Sequence, residues 1–362
     1  MTGPIVLCAG GTGGHLFPAQ ALAGELGRRG RPVVVMTDAR FANYATSFPG
    51  APIETVPSAP LNSPAAPFTI ALGVIMALAK LLRLKPAAVV GFGGYPSVPV
   101  MLAATVARFP TAIIEQNAVV GRANRLVMNR VKRIAAAFPI ARFAPKDRSK
   151  IVLTGNPLRG EVVELWGAPY PELAADGPLN LLVFGGSQGA RVFGEIVPQA
   201  VSALPEAIKT RLHVTQQCRP EDGANVRAVY AADGVAAELA PFFADLPRRM
   251  AAAHLVIGRA GAGTVAELMA IGRPAILVPL PHALDDNQTP NAEILSRAGA
   301  GWTVAERDFT SESLVHMLTT LFSAPSELEA GAAHAHALAT KGAAQKLADL
   351  VEDLATPEWK PA

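Results

Sequence analysis

Short, nearly uniform apolar runs alternate with longer amphipathic stretches along the whole chain. In the first half, residues 5–9, 33–37, 53–56, 87–91, 111–115 and 133–137 read as strands. In the second half, 179–184, 213–216, 255–258, 275–278 and 301–304 read the same way. Strands that are apolar on both sides must be covered on both sides, which is the condition of a parallel sheet. Helical spacing predicts helices over 18–29, 97–107, 122–131, 189–203, 263–270, 287–297 and 311–322. The alternation occurs twice, with a join near residues 154–160. The expected class is α/β, with two Rossmann-like doubly wound domains facing a cleft lined by the loops at the carboxyl ends of their strands. The expected boundaries are 1–158 and 159–340, followed by a C-terminal helix and tail over 341–362. Residues 326–354 read as helical, Ala-rich and mostly surface, free either to close the second domain or to cross back to the first.

One apolar run does not fit the strand pattern. Residues 68–79 are continuously apolar, and Lys80, Arg83 and Lys85 follow at once. A bilayer span needs roughly 20 apolar residues, so this run is too short to cross. Two readings stay open: a buried core helix, or an interfacial helix with apolar side chains in a membrane surface and cations toward anionic head groups. Charge bears on the choice. Residues 1–158 carry 17 Lys and Arg against the five acids Glu25, Asp38, Glu54, Glu115 and Asp147, and residues 159–362 carry 15 against 24, so +12 is followed by −9 within an overall +3. A basic first half suits an anionic partner: a phosphate-bearing substrate, an acidic membrane or nucleic acid. At 362 residues, 50% hydrophobic and 17% charged, the chain is globular and too long for one ordinary core. Cys8 and Cys218 form no disulfide framework or metal pattern, which suits a reducing compartment. No secretory signal pattern is apparent at the N-terminus.

Candidate chemistry gathers where strands end. Gly10-Gly11-Thr12-Gly13-Gly14-His15 lies between a strand and a helix, and so does Gly185-Gly186-Ser187-Gln188-Gly189. Glycines let the backbone approach a bound group, and the helix N-terminus that follows favours an anion. Neither turn is a strict GxGxxG, and neither carries a Walker lysine. Asp38 ends the second strand, where a dinucleotide fold places its ribose-binding acid, so an NAD enzyme is a rival on that feature alone. His15 closes the first turn in an expected exposed, Gly-flanked position, and is a candidate general base. Glu115-Gln116-Asn117 and Gly91-Phe92-Gly93-Gly94-Tyr95 end two further strands, the latter offering backbone N–H groups. Arg159 at the domain join can place a guanidinium on a phosphate. Arg259-Ala260-Gly261-Ala262-Gly263-Thr264 opens a helix carrying Glu267, which can accept two ribose hydroxyls. Asp285 and Asp286 read as a solvated helix cap rather than a metal site.

Taken together these residues resemble the MurG-type glycosyltransferases of bacterial peptidoglycan synthesis. The resemblance spans nearly the whole chain through GGTGGHLFPA, GFGGYPSVP, IEQNAVVGRANR, TGNPLR, GGSQGAR, GRAGAGTVAEL and PLPHALDDNQTPNA, in order. It implies the GT-B arrangement and transfer of N-acetylglucosamine from UDP-N-acetylglucosamine, with inversion, to the C4 hydroxyl of lipid I, the undecaprenyl-pyrophosphoryl N-acetylmuramyl-peptide, giving lipid II. It implies work at the cytoplasmic face of the inner membrane, as a peripheral protein on an anionic surface. It calls for no cofactor, metal or nucleic acid, and makes cell-wall synthesis and division proteins candidate partners. By position it places Thr12, Gly13 and Gly14 by the sugar and reacting centre, with His15 as base, and Asn117 at the donor sugar. It gives Arg159 and Ser187 to polar groups of the nucleotide sugar, and Ala262, Gly263 and Thr264 to a phosphate. Glu267 falls to the ribose, Gln288 to sugar hydroxyls and Phe242 or Phe243 to the uracil. Departures are Ile114 where a histidine is common, Ala260 for a frequent serine, and Asn287 for a frequent histidine or glutamine. The alternatives are another UDP-sugar lipid glycosyltransferase, a UDP-N-acetylglucosamine 2-epimerase, and a non-catalytic UDP-sugar-binding membrane scaffold.

Overall fold

A computed structural model describes residues 3–10, 13–40, 48–60, 63–186 and 189–356, apart from the side chain of Leu284. The chain divides into two compact units, Met1–Gly160 with Thr340–Ala362, and Glu161–Ala339. The first unit runs β1 (Ile5–Cys8), α1 (Gly13–Arg28), β2 (Val33–Thr37), β3 (Ile53–Thr55), α2 (Ala66–Leu84), β4 (Ala88–Gly91), α3 (Ser97–Val106), β5 (Thr111–Glu115), α4 (Arg122–Val127), β6 (Arg133–Ala136) and β7 (Ile151–Leu153). After α5 (Gly160–Glu164) the second unit runs β8 (Leu179–Phe184), α6 (Arg191–Ser202), α7 (Glu206–Lys209), β9 (Leu212–Gln217), α8 (Gly223–Ala232), β10 (Ala236–Ala240), α9 (Leu246–Ala252), β11 (Leu255–Gly258), α10 (Ala262–Ile271), β12 (Ala275–Leu277), α11 (Gln288–Arg297), β13 (Gly301–Thr303), α12 (Ser311–Phe322) and α13 (Pro325–Ala337). The last helix, α14 (Ala343–Ala355), returns to the first unit.

Both sheets are parallel and doubly wound. The first is ordered β3-β2-β1-β4-β5-β6-β7 and the second β10-β9-β8-β11-β12-β13. In the first, Ile5 on β1 registers with Val33 on β2 and Ala88 on β4. In the second, Leu181 on β8 registers with Val214 on β9 and Leu255 on β11. The strand order therefore reverses between β1 and β4, and again between β8 and β11. Those are the switch points where such sheets bind ligands.

In the first unit α2, α3 and α4 cover one face of the sheet, burying Ala77, Leu81, Val100, Met101 and Val127. The other face is covered by α1 and α14, through Leu22, Leu26, Leu347, Val351 and Leu354. The C-terminal helix thus completes the first core, and its Leu347 side is wholly buried, contrary to the mostly-surface expectation. Polar contacts fix its register. Arg29 after α1 reaches Glu25 at 2.8 Å, Asp349 at 2.7 Å and Glu352 at 2.7 Å.

Other departures from the sequence expectations have physical causes. The first helix begins at Gly13, not Pro18, and keeps Pro18 inside it. Pro18 is the sixth helical residue, past the four N–H groups that lack intrahelical partners, so the helix forgoes the bond to the Gly14 carbonyl. Strands β7 and β10 were not foreseen. Both sit at sheet edges: β7 is an apolar run of only three residues, and β10 is Ala-rich with Glu238 within it. The 68–79 run extends into a 19-residue helix that, by length and composition, could cross a membrane. Only Ala66, Gly73, Ala77 and Leu81 of it are buried. Phe68 is 82% exposed, Leu72 52%, Ile75 66% and Leu82 55%, so the buried-helix reading fails for most of its surface. Two of its three trailing cations are not free for head groups either, because Lys80 and Arg83 both pair with Glu54 on β3.

Leu347 is fully buried at the α1–α14 seam. Leu347→Ala is expected to destabilise the first unit by about 2–5 kcal/mol in a urea titration.

Candidate active site

The first switch point builds a pocket wall around His15. Gly10, beyond β1, has no room for a side chain: a Cβ there would lie 2.9 Å from Pro96 Cγ and from Thr37 Oγ1. His15 is the third residue of α1 rather than the close of a turn, and it is half-buried rather than exposed. Its ring lies against Gly93 and Gly94 beyond β4, whose φ angles are 84° and 72°. A Cβ on Gly93 would come within 3.2 Å of the ring's Cε1, and one on Gly94 within 3.3 Å of its Cδ2. Glycine supplies both the left-handed backbone and the space. The GFGGY run is therefore a packing surface for the histidine. His15 Nδ1 is buried without a hydrogen-bond partner. Burial lowers the pKa of His15 below the ordinary imidazole value, outweighing the Gln116 side chain and the Phe92 carbonyl, which favour its charged form. The ring is neutral at pH 7 and able to take a proton.

The polar residues ending β5 divide their work. Glu115 is 1% exposed and accepts from the backbone N–H groups of Asn117 (3.0 Å) and Gly121 (2.9 Å) and from Asn124 Nδ2 (2.8 Å). Burial raises its pKa despite these bonds. Glu115 thus folds the loop that presents Asn117, which is half-buried. Gln116 Nε2 donates to the Phe92 carbonyl at 3.0 Å and ties β5 to the glycine wall. Arg159 lies over the Phe17 ring, 4.9 Å from its centroid. The same ring covers Gly13, where a Cβ would stand 3.0 Å from Phe17 Cε2. Gly14 is exposed. One unit therefore brings together Gly13, Gly14, His15 and Arg159, with Phe17 as a member that the sequence reading passed over although it stands in GGTGGHLFPA. Asp38 is 3% exposed. One carboxylate oxygen accepts from the Arg40 backbone N–H at 3.0 Å, the other from Ser58 and the Arg40 guanidinium. That carboxylate is committed to the protein, not offered to a ribose.

The second switch point is built alike, in the second unit. Gly185 turns so tightly that a Cβ would meet Ala190 N at 2.3 Å, and Gly186, with φ 86°, opens onto free space. Gln217, unnoticed in sequence, accepts from Gly185 N at 3.0 Å and donates to the Gly186 and Pro241 carbonyls at 2.9 and 3.1 Å. Helix α10 starts at Ala262 behind Gly261, with no side-chain cap on its first N–H groups. Gly263 faces open space. Backbone donors at 262–264 are thus placed for an anion. Glu267 is 9% exposed in the second turn of the same helix. Gln288 Oε1 accepts from Ala260 N (3.1 Å) and Leu280 N (3.0 Å), leaving Nε2 as its donor for a ligand. Phe243 is 6% exposed beneath the Arg249 guanidinium, whereas Phe242 is 69% exposed. Asp285 and Asp286 have positive φ and precede the α11 N-cap, which is Asn287, so they are not the cap themselves. Thr12 and Ser187 lie outside the described residues.

Comparison with known proteins shows the family. Residues 5–136 match the glycosyltransferase family 28 N-terminal domain and residues 180–352 its C-terminal domain. The UDP-N-acetylglucosamine--N-acetylmuramyl-(pentapeptide) pyrophosphoryl-undecaprenol N-acetylglucosamine transferase of Methylobacterium radiotolerans is 50% identical over 98% of both chains. The protein of the same name from Rhodospirillum centenum is 50% identical over 96% of this chain and 93% of its own. The crystal structure of Acinetobacter baumannii MurG superposes with a TM-score of 0.82 at 33% identity, covering 97% of this chain and 99% of that one. With two doubly wound parallel-sheet domains of the GT-B type, the chain belongs to glycosyltransferase family 28, and within it to the MurG group of N-acetylglucosaminyltransferases.

His15 is expected to protonate below the ~6.5 of an unperturbed imidazole. Because its folded value lies below its unfolded one, its contribution to stability is complete above ~6.5 and is lost as pH falls through the folded value. An NMR titration of the histidine rings checks this, and protonation of His15 at or above ~6.5 would contradict it.

Proposed function

We propose that the chain moves N-acetylglucosamine from UDP-N-acetylglucosamine to the C4 hydroxyl of the N-acetylmuramyl-peptide on undecaprenyl pyrophosphate, converting lipid I to lipid II. The observation that carries this reading is near-full-length identity of 50% to transferases named for that donor and acceptor. The hydroxyl oxygen attacks the anomeric carbon from the face opposite UDP. The bond from that carbon to the UDP oxygen breaks, and a β-1,4 link forms with inversion. His15 takes the hydroxyl proton, a role supported by its neutral, half-buried ring. UDP leaves with its charge against backbone donors at Ala262, Gly263 and Thr264 and the Arg159 guanidinium. Glu267 serves the ribose, Gln288 Nε2 and Asn117 the sugar, and Phe242 or Phe243 the uracil. Thr12, Gly13, Gly14 and Ser187 complete the donor set by their place in the family motifs.

The acceptor is a membrane lipid, so the protein works as a peripheral protein at the cytoplasmic face of the inner membrane. The uncovered apolar side of α2 supports this, with Phe68, Leu72, Ile75 and Leu82 as its membrane-contacting residues. The net positive first half adds attraction to anionic lipid.

Labelled UDP-N-acetylglucosamine incubated with a lipid I analogue is expected to put label into the lipid only when both substrates are present. Release as free sugar, or epimerised UDP-sugar without acceptor, overturns the reading. His15→Ala is expected to lower kcat by about 10²–10⁴-fold, the usual worth of general-base help. A Phe68→Ser, Ile75→Ser double variant is expected to lose flotation with anionic vesicles while still binding UDP.

A further inference from the structure

Three buried polar groups meet beside the first switch point. The ring of His15 lies against Gly93 and Gly94, where a Cβ would come within 3.2 and 3.3 Å of it. Its Nδ1 is buried with no partner. Gln116, 3% exposed, donates from Nε2 to the Phe92 carbonyl at 3.0 Å. That bond settles which end of the amide is which, because the opposite orientation would set two carbonyl oxygens against each other. The remaining end, Oε1, is also buried and also without a partner. A buried ring nitrogen and a buried amide oxygen, both without partners among the described residues, satisfy each other when the nitrogen carries the proton, and leaving both unmade forfeits their hydration for nothing. Gln116 is hydrogen-bonded to the carbonyl of Phe92, and the next residue, Gly93, is the one against which the His15 ring lies.

A neutral imidazole carries its proton on one nitrogen and a lone pair on the other, and the hydrogen bond at one nitrogen decides the role of the other. Resting on the reading of His15 as the base, we infer that Gln116 is a positioning residue that holds His15 as the Nδ1–H tautomer, so that Nε2 carries the lone pair that takes the acceptor's proton. Gln116 suits the task better than a carboxylate. A neutral amide fixes the tautomer without drawing the ring into a permanently charged state, so the base remains unprotonated at pH 7. The proton taken up in the reaction then gives an imidazolium whose Nδ1–H still has its acceptor. No bond of the substrate passes through Gln116, and its whole effect runs through the ring.

The test labels histidine with nitrogen-15 and reads ring tautomers by two-bond NMR correlations in the intact protein, beside steady-state kinetics. In the unaltered protein His15 is expected as Nδ1–H. Gln116→Leu removes the acceptor at similar volume. It is expected to shift His15 toward the Nε2–H form and to lower kcat about 10–100-fold, as loss of an orienting partner typically does, with KM for UDP-N-acetylglucosamine unchanged. Gln116→Glu keeps an acceptor oxygen and adds charge. It is expected to retain Nδ1–H and raise the His15 pKa, a response that a merely structural residue would not produce. Gln116→Leu with its tautomer and kcat unaltered overturns the proposal, and if that variant does not fold, an unmoved His15 pKa in Gln116→Glu does so. Full turnover in His15→Ala would instead remove the base reading, and the tautomer measurement would still decide whether the Gln116–His15 pair exists.

Discussion

Parallel pairing is the constraint on which the rest depends. A parallel strand cannot turn directly into its neighbour, so each connection crosses a face of the sheet and every strand ends on the same edge. Where the strand order reverses, between β1 and β4 and between β8 and β11, the loops leave in opposite directions and open a crevice. Gly185 and Gly186, the Gly93–Gly94 wall, the start of α10 and His15 all lie at one of these two places. Their chemistry follows from position: backbone N–H groups at strand and helix ends have no partner within their own element, and a bound anion or a side chain must supply one.

Both crevices are held in shape largely by side-chain amides. Gln116 and Asn124 join β5 to the loop beyond β4 and to Glu115, and Gln217 pins Gly185, Gly186 and Pro241. Gln288 and Asn291 hold the Ala260 peptide from both sides, its N–H and its carbonyl. An amide carries donors and an acceptor with no net charge, so it can bridge two loops without the desolvation cost of burying an ion. Where a charge is buried, many partners surround it. Arg273, 1% exposed, donates to the carbonyls of Ala168, Pro169, Ala251, Ile271 and Gly272, and burial still pushes its pKa down to about 10. That arginine knits α9 and α10 to the segment entering the second sheet.

Helix α2 shows the opposite balance. Its small residues, Ala66, Gly73 and Ala77, press against the body of the first unit, and a Cβ on Gly73 would stand 2.1 Å from the Pro57 carbonyl oxygen. Phe68, Leu72, Ile75 and Leu82 face outward, while Leu81 is its one large residue fully buried. Glu54 holds the cationic end of the helix to the sheet through Lys80 and Arg83, fixing its orientation while masking part of its charge. Two of the cations that end this helix are therefore paired within the protein, and the surface it leaves uncovered is mainly apolar.

Sequence periodicity was enough to reveal two α/β domains, most central strands and the glycine turns, because a strand buried on both faces must be apolar throughout and a tight approach demands glycine. It was enough for the family as well, since seven motifs in order leave little freedom. It did not reveal β7, an apolar run of only three residues, or β10, an Ala-rich edge strand with Glu238 within it, nor that α14 completes the first core, because an Ala-rich amphipathic helix fits either unit equally well. Nor could it tell which face of α2 is covered, since that helix is apolar all round. Tertiary structure alone decided that Glu115 supports a loop, that Asp38 is bound to Arg40 and Ser58, and that Gln116 stands beside His15. Those assignments depend on which long-range neighbour fills each hydrogen-bond valence, and no local pattern in the chain encodes that.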